Sequence, residues 1–240
     1  MTKNENQGIL EIIKNNSFNS MLFGRVIPAK RIIVLAPHCD DEVLGCGGTI
    51  LEYLKKQCQV VIIYLTLDKE KKRKIEALNA WNSFDNIVQE FFSFEDSMLS
   101  SSENDCVNKL CELIQKYNPD IIFTPWFIDM HNDHRATSTF LAHSLKAILT
   151  NTAISTQYIA CYEVNFPVYI NYSINITKSF EQKIEILKNY VSQNPEHLEN
   201  VIKNLNKYRA EQIGLRQILW AEAYYVCNCE FFCTLIERFL

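Results

Sequence analysis

From Arg31 to Thr66 the chain reads RIIVLAPHCDDEVLGCGGTILEYLKKQCQVVIIYLT. Its two ends, Arg31 to Ala36 and Val60 to Thr66, are short, β-branched and almost wholly apolar, the pattern of strands buried on both faces. Between them Val43 to Lys56 reads as a helix opened by Gly45, Gly47 and Gly48. Strand, helix and strand in that order form a βαβ unit, and a parallel sheet covered on both faces follows.

The same alternation continues outward. A helix is expected from about Lys71 to Ser83, a short strand at Phe91 to Phe94, and a helix from Glu103 to Tyr117, where Val107, Leu110, Cys111 and Ile114 recur at helical spacing. Asp120 to Thr124 is the next buried strand, followed by a helix from Thr137 to Leu149 and a strand from Tyr158 to Val164. The remainder reads as mostly helical, and Ile9 to Lys14 as a short helix ahead of the sheet. The expected fold is α/β, a Rossmann-like doubly wound, mostly parallel sheet with helices on both faces in a single domain. Residues 1–30 form an N-terminal extension and residues 31–240 the domain.

Composition sets further limits. With 24 Lys+Arg against 28 Asp+Glu the formal net charge is -4, and no basic stripe interleaved with aromatics is present, so nucleic-acid binding is not expected. No apolar run approaches the roughly 18 residues that span a bilayer, and the first residues lack the apolar core of a signal peptide. The nine cysteines include no C-x-x-C pair, which points to a reducing cytoplasm. A chain of this length buries about 70–75% of its unfolded surface, so a metal here would serve chemistry rather than folding. A homo-oligomer is left open.

Ligands of open α/β sheets bind outside the carboxyl ends of the strands, and two such ends are loaded: Pro37-His38-Cys39-Asp40-Asp41-Glu42 and Asp129-Met130-His131-Asn132-Asp133-His134. Three of the five histidines lie in these segments. His38 and Asp41 can face one side at a three-residue spacing and be met there by His134, giving two imidazoles and a carboxylate with open positions for water and substrate. Asp40 and Asp41 cannot both sit on one ligand face, so one is left to take a proton. His131, held by Asp133, is placed to give a proton to a leaving group, because a carboxylate neighbour raises the pKa of an imidazole. A second reading takes His38, Asp40 and His134 as the two-histidine, one-carboxylate triad of a non-haem Fe(II) oxygenase, although such sites belong to jelly-roll proteins.

The run Ala36 to Gly48 resembles the signature of the PIG-L/LmbE-like zinc-dependent de-N-acetylases, and Asp129-x-His131-x-Asp133-His134 resembles their second motif. Weaker echoes are Thr66, Arg73-x-x-Glu76, Pro119-Asp120, Tyr162-Glu163, Ile176-Thr177 with Lys183, Ser192-Gln193 and Ala221-Glu222-Ala223. The resemblance implies that His38, Asp41 and His134 are the ligands of Zn2+, with Fe2+ or another divalent metal as an alternative. It implies Asp40 as general base, His131 as general acid oriented by Asp133, and Arg73 and Asp96 as substrate contacts. The implied reaction removes an N-acetyl or other N-acyl group from an amino-sugar conjugate, such as one of N-acetylglucosamine, and releases amine and acetate. The alternative on the same scaffold is a catalytically silent sugar-binding protein. Cys39 and Asn132 stand where the family usually has proline, and Leu67 to Lys72 replaces a glycine that often follows the second strand.

Other conspicuous residues have plainer readings. The three glycines lack dinucleotide-loop spacing and fit close packing of helix on sheet. His143, about 180° round the helix from His134, should not join the site. His197 reads as a helix-start residue, the Lys69 to Lys74 run as a solvated face, and Cys227, Cys229 and Cys233 as core cysteines.

Overall fold

The computed structural model describes residues 22–239; the helix expected at Ile9 to Lys14 lies outside the described residues. One eight-stranded sheet runs through the molecule in the order β1-β7-β8-β6-β5-β2-β3-β4. Its strands are β1 (Leu22–Gly24), β2 (Arg31–Ala36), β3 (Gln59–Leu67), β4 (Ile87–Glu95), β5 (Ile121–Pro125), β6 (Tyr158–Tyr162), β7 (Tyr172–Asn175) and β8 (Ala221–Asn228). Seven α-helices are described: α1 (Asp41–Leu54), α2 (Lys72–Ala80), α3 (Glu103–Tyr117), α4 (Asn132–Asn151), α5 (Phe180–Leu187), α6 (Pro195–Ile213) and α7 (Cys229–Phe239). None of the described helices is long and apolar enough to cross a membrane.

The apolar runs are explained by where their alternate residues go. Ile32, Val34 and Ala36 of β2, with Val60, Ile62 and Tyr64 of β3, pack on one face against α1, α2 and α5. Ile33 and Leu35, with Val61, Ile63 and Leu65, pack on the other against α3, α4 and α7. Both faces of these strands are core, so side-chain alternation leaves no polar face to read.

Strands β2 to β6 pair in parallel, β2 lying between β3 and β5 with Ile32 opposite both Val60 and Ile121. The chain runs from β2 outward through β3 and β4, then crosses back over β2 to β5. Strand order therefore reverses between β2 and β5, and a crevice opens at their carboxyl ends.

The expectation of a mostly helical remainder after β6 holds for α5, α6 and α7 but misses two strands. β7 and β8 are strands, and β8 is inserted antiparallel between β6 and β7, Cys161 opposite Tyr225 and Ser173 opposite Ala223. β8 is buried along nearly its whole length, so it shows no alternation, and Glu222 within it makes it look polar. Ahead of residue 31, β1 pairs in parallel with β7, Phe23 opposite Ser173. The short strand expected at Phe91 to Phe94 is the end of the longer β4.

Close packing accounts for the glycines of α1. A methyl group on Gly45 would lie 2.2 Å from Tyr162 Cδ2, and one on Gly48 2.7 Å from Ile176. The helix seats its backbone on the sheet there, and no side chain fits between.

Candidate active site at the sheet crossover

The two loaded segments leave neighbouring strands. After β2 the carbonyl of Pro37 accepts both the N–H and the hydroxyl of Thr66, at 2.9 and 2.8 Å, which ties the exit of β2 to β3. The chain then turns into α1, and a single oxygen of Asp41 becomes the centre of the site. Oδ2 accepts the His38 N–H at 2.9 Å and lies 3.1 Å from His38 Nδ1 and 3.2 Å from His134 Nε2. The three residues expected to share a face do so. The ligating atoms of His38, His131 and His134 also fall within 4.8 Å of one another.

These contacts set the charge balance. Burial alone would raise the Asp41 pKa, but the charge and hydrogen bonds of His134 and His38 outweigh it and hold the carboxyl far below its ordinary range. Burial would lower His38, yet hydrogen bonds to Asp133, Asp41 and Asp96 push it up to about 12. His134 is likewise pushed up to about 9, its burial outweighed by Asp41 and Asp129.

Asp40 is the N-cap residue of α1 and has φ 140°, a conformation rare for a residue with a side chain, and its carboxylate makes no capping bond. Its backbone is held instead: the N–H donates to Glu42 Oε2 at 3.1 Å, and the carbonyl accepts the N–H groups of Val43 and Leu44 at 3.0 and 2.9 Å. Glu42 is fully buried and also accepts from Trp81 Nε1 at 3.0 Å and from the Tyr190 hydroxyl. Turned out of the helix, Asp40 lines a cleft of about 230 Å³ together with Asp41, Arg73, Asp96 and the three histidines. Burial, then the charges of Asp41 and Glu42, raise its pKa well above the ordinary value against Arg73 and His38.

The second cluster differs from expectation at Asp133. The Asp133 backbone N–H, one of the otherwise unpaired donors at the start of α4, donates to the N-cap His131 at Nδ1, 3.2 Å away, whereas its carboxylate points to His38 Nε2 at 3.3 Å. That carboxylate also accepts the N–H groups of Ser97 and Leu99 at 2.7 and 3.2 Å. His131 therefore lacks the side-chain partner expected of it. Burial, with the charges of His38 and His134, lowers its pKa rather than raising it. With Nδ1 accepting, the neutral ring carries its proton on Nε2.

Arg73 and Asp96 sit at the rim, Nη1 to Oδ2 at 3.6 Å, and Asp96 Oδ1 lies 3.3 Å from His38 Nε2. That contact, ahead of the opposing burial, lowers Asp96 to about 2. Asp129, quoted in the second motif but given no role, lies against His134. Glu42, within the first motif, and Gln193, in the Ser192-Gln193 echo, likewise carry a sequence signal without an assigned role, whereas Asn165, which also lines the cleft, carries none.

The plainer readings match the structure. His143 pairs with Glu103 at 2.8 Å on the surface, His197 lies in the first turn of α6, Lys69 and Lys72 form exposed pairs with Glu95 and Glu70, and Cys227, Cys229 and Cys233 are buried and free.

The donor set suits a divalent transition metal. Two ring nitrogens and a carboxylate oxygen converge from two loops, and the ring nitrogen of His38 turned away from Asp41 meets carboxylates of Asp133 and Asp96, the outer-shell partnership common to metal-bound histidine.

An α/β protein with a histidine–carboxylate cluster at the crossover of its sheet is the class so defined. Residues 33–145 match the family PIG-L, GlcNAc-PI de-N-acetylase. Solved structures share its fold. N,N'-diacetylchitobiose deacetylase from Pyrococcus horikoshii is 22% identical with a TM-score of 0.74, over 97% of this chain and 95% of that one. GalB, the 4-carboxy-2-hydroxymuconate hydratase from Pseudomonas putida KT2440, is 16% identical with a TM-score of 0.71, over 82% and 95%. Teicoplanin deacetylase Orf2, in a zinc-inhibited form, is 14% identical with a TM-score of 0.65, over 82% and 98%.

Proposed function

We propose that the protein is a zinc-dependent hydrolase that removes an N-acetyl or other N-acyl group from an amino-sugar conjugate, releasing the free amine and acetate. The observation that carries this reading is the division of two adjacent carboxylates, Asp41 between the imidazoles of His38 and His134 and Asp40 turned into the same cleft without a capping role. It agrees with a family described as GlcNAc-PI de-N-acetylase and with deacetylases among proteins of the same fold.

His38, Asp41 and His134 would hold the metal, which when bound polarises the amide carbonyl and makes a water acidic. Asp40 takes the proton of the attacking water, and its burial makes it a better base than an exposed carboxylate. His131 presents Nε2–H to the oxygen that gains charge as the carbonyl is attacked. From its imidazolium form, a stronger acid for its lowered pKa, it then supplies the proton that the departing nitrogen needs, since an amine leaves poorly as its anion. Asp133 positions this pair through its amide on His131 and its carboxylate on His38. At the rim Arg73 offers donors and Asp96 acceptors to sugar hydroxyls.

The oxygenase reading takes Asp40 as its carboxylate, but Asp41 is the one that lies against both imidazoles, and the sheet is α/β rather than a jelly roll. A silent sugar-binding protein has no use for Asp40 and His131. Nine free cysteines, eight of them buried, support a cytoplasmic setting. The test is acetate release from a panel of N-acetylhexosamine conjugates by zinc-loaded protein. Activity should vanish on chelation and return with Zn2+. Full activity after verified metal removal would defeat the proposal, and conjugate binding without turnover would leave the silent reading in its place.

A further inference from the structure

We infer that Asp129 is a positioning residue that fixes the tautomer of His134 and holds three parts of the active cleft in register. The inference rests on the reading of His134 as a metal ligand and concerns what makes it one.

Asp129 is 2% exposed and follows β5 by four residues. Its Oδ1 accepts the backbone N–H of His131 at 2.9 Å. Its Oδ2 accepts the N–H of Asn165, which lines the cleft from beyond β6, at 3.2 Å, and lies 3.3 Å from His134 Nδ1. One carboxylate thus joins a candidate metal ligand, the residue proposed as acid, and the loop opposite. Its own backbone is clamped, the carbonyl accepting Arg135 Nη1 at 2.7 Å.

The His134 ring is buried, and Nδ1 has no straight hydrogen bond. The group against that nitrogen is the Asp129 carboxylate. A lone pair there would face an acceptor oxygen, so the neutral ring carries its proton on Nδ1. The other nitrogen, Nε2, then presents its lone pair toward Asp41, the orientation a ligand requires. An amide in place of the carboxylate could turn its NH2 toward Nδ1 and favour the opposite tautomer, with Nε2–H pointing at the metal position.

The test uses the full-length protein and Zn2+ alone. Affinity is measured by competition with a chromophoric chelator for wild type and Asp129→Asn, and the tautomer of His134 is read by 15N NMR of histidine-labelled, zinc-loaded wild type. Asp129→Asn can still accept the His131 N–H but not the Asn165 N–H as well, so the metal-free variant should fold and unfold cooperatively at a somewhat lower temperature than wild type, while binding Zn2+ about 10–100-fold more weakly. The wild-type spectrum should show Nδ1 protonated and Nε2 bound. Equal zinc affinity in the variant, or Nδ1 as the bound nitrogen in wild type, overturns the inference and leaves the proposed function standing. If wild type binds no Zn2+, the metal reading falls and this inference with it. Should the variant fail to fold, the wild-type spectrum alone decides.

Discussion

Lys183 is expected to hold α1 onto the sheet, and Lys183→Met should show it. Its ammonium is fully buried and donates to Glu222 Oε1 at 2.7 Å, to Asn206 Oδ1 at 2.9 Å and to the carbonyl of Leu44 at 2.9 Å. Glu222, 1% exposed, in turn accepts the N–H groups of Gly48 and Thr49 at 2.9 and 2.8 Å and the hydroxyl of Tyr224 at 3.0 Å. Leu44 and Gly48 stand four residues apart, the two ends of one helical rung, so the ion pair engages that rung of α1 from both sides. Removing the cation leaves a buried carboxylate with three neutral donors and two acceptors without their ammonium, a change worth about 3–5 kcal/mol. At about 2–4 °C per kcal/mol for a chain of this size, a loss near 4 kcal/mol lowers Tm by roughly 8–16 °C. Urea unfolding followed by circular dichroism should show the midpoint falling with little change in slope. Lys183→Met combined with Glu222→Gln should recover part of the loss, because the unpaired charge is gone. A loss under about 1 kcal/mol, or a double variant no better than Lys183→Met alone, would refute the reasoning.

Asp40→Asn should keep its zinc and lose about 10²–10⁴-fold in kcat, whereas Asp41→Asn should lose the metal; acetate release and metal content measured together would expose a reversed assignment. Asp40→Gly removes both the proposed base and a backbone strain of about 1–3 kcal/mol. After the entropy cost of glycine it should unfold at a higher urea concentration while acetate release drops to background, and a lower midpoint would contradict the strain. Gly45→Ala should cost about 1–3 kcal/mol or more by overpacking, because its methyl would meet Tyr162, whose hydroxyl is pinned to the carbonyl of Leu35 at 2.7 Å; wild-type stability would show that the ring can move. Burial raises the thiol pKa of all nine cysteines, and Cys111 alone is not fully buried. A colorimetric disulfide reagent should therefore find Cys111 first in the native protein, with rates that rise with pH as thiolate forms; rapid labelling of Cys161 or Cys227 would contradict the packing.

What the sequence disclosed depended on how local the cause was. β2, β3, β5 and α3 announce themselves because strand and helix periods are properties of neighbouring residues. The cluster of His38, Asp41 and His134 was legible for a related reason: each loop follows a readable strand, and the crossover rule brings their ends together. β8 was not legible. Its Glu222 is tolerable only beside Lys183, which lies on α5. A strand whose polar residue is neutralised by a distant one has no local signature. Asp133 was misread for the same cause. Its neighbour in sequence is His131, but the donors that claim its carboxylate, the amides of Ser97 and Leu99, lie beyond β4 and come near only in the folded sheet.

The sheet does not choose the reaction, since two deacetylases and a hydratase share its fold; the choice lies in how side chains are placed on it. Here one short run, Asp40-Asp41-Glu42, sends three carboxylates to three places. Successive residues of a regular helix already point about 100° apart, which separates Asp41 from Glu42: the first meets the imidazoles, the second enters the core beneath Trp81 and Tyr190. Asp40 needs more than that angle, because the extended backbone usual at an N-cap would return its side chain to the capping position over the first turn. Its positive φ takes it out of that position and into the cleft. Glu42 offsets the strain by accepting the Asp40 N–H. Glu42 therefore belongs to the geometry of the proposed base although it is not among the residues lining the cleft, and a change at Glu42 should be felt at Asp40 before it is felt at Asp41, whose oxygen is held separately by the two imidazoles.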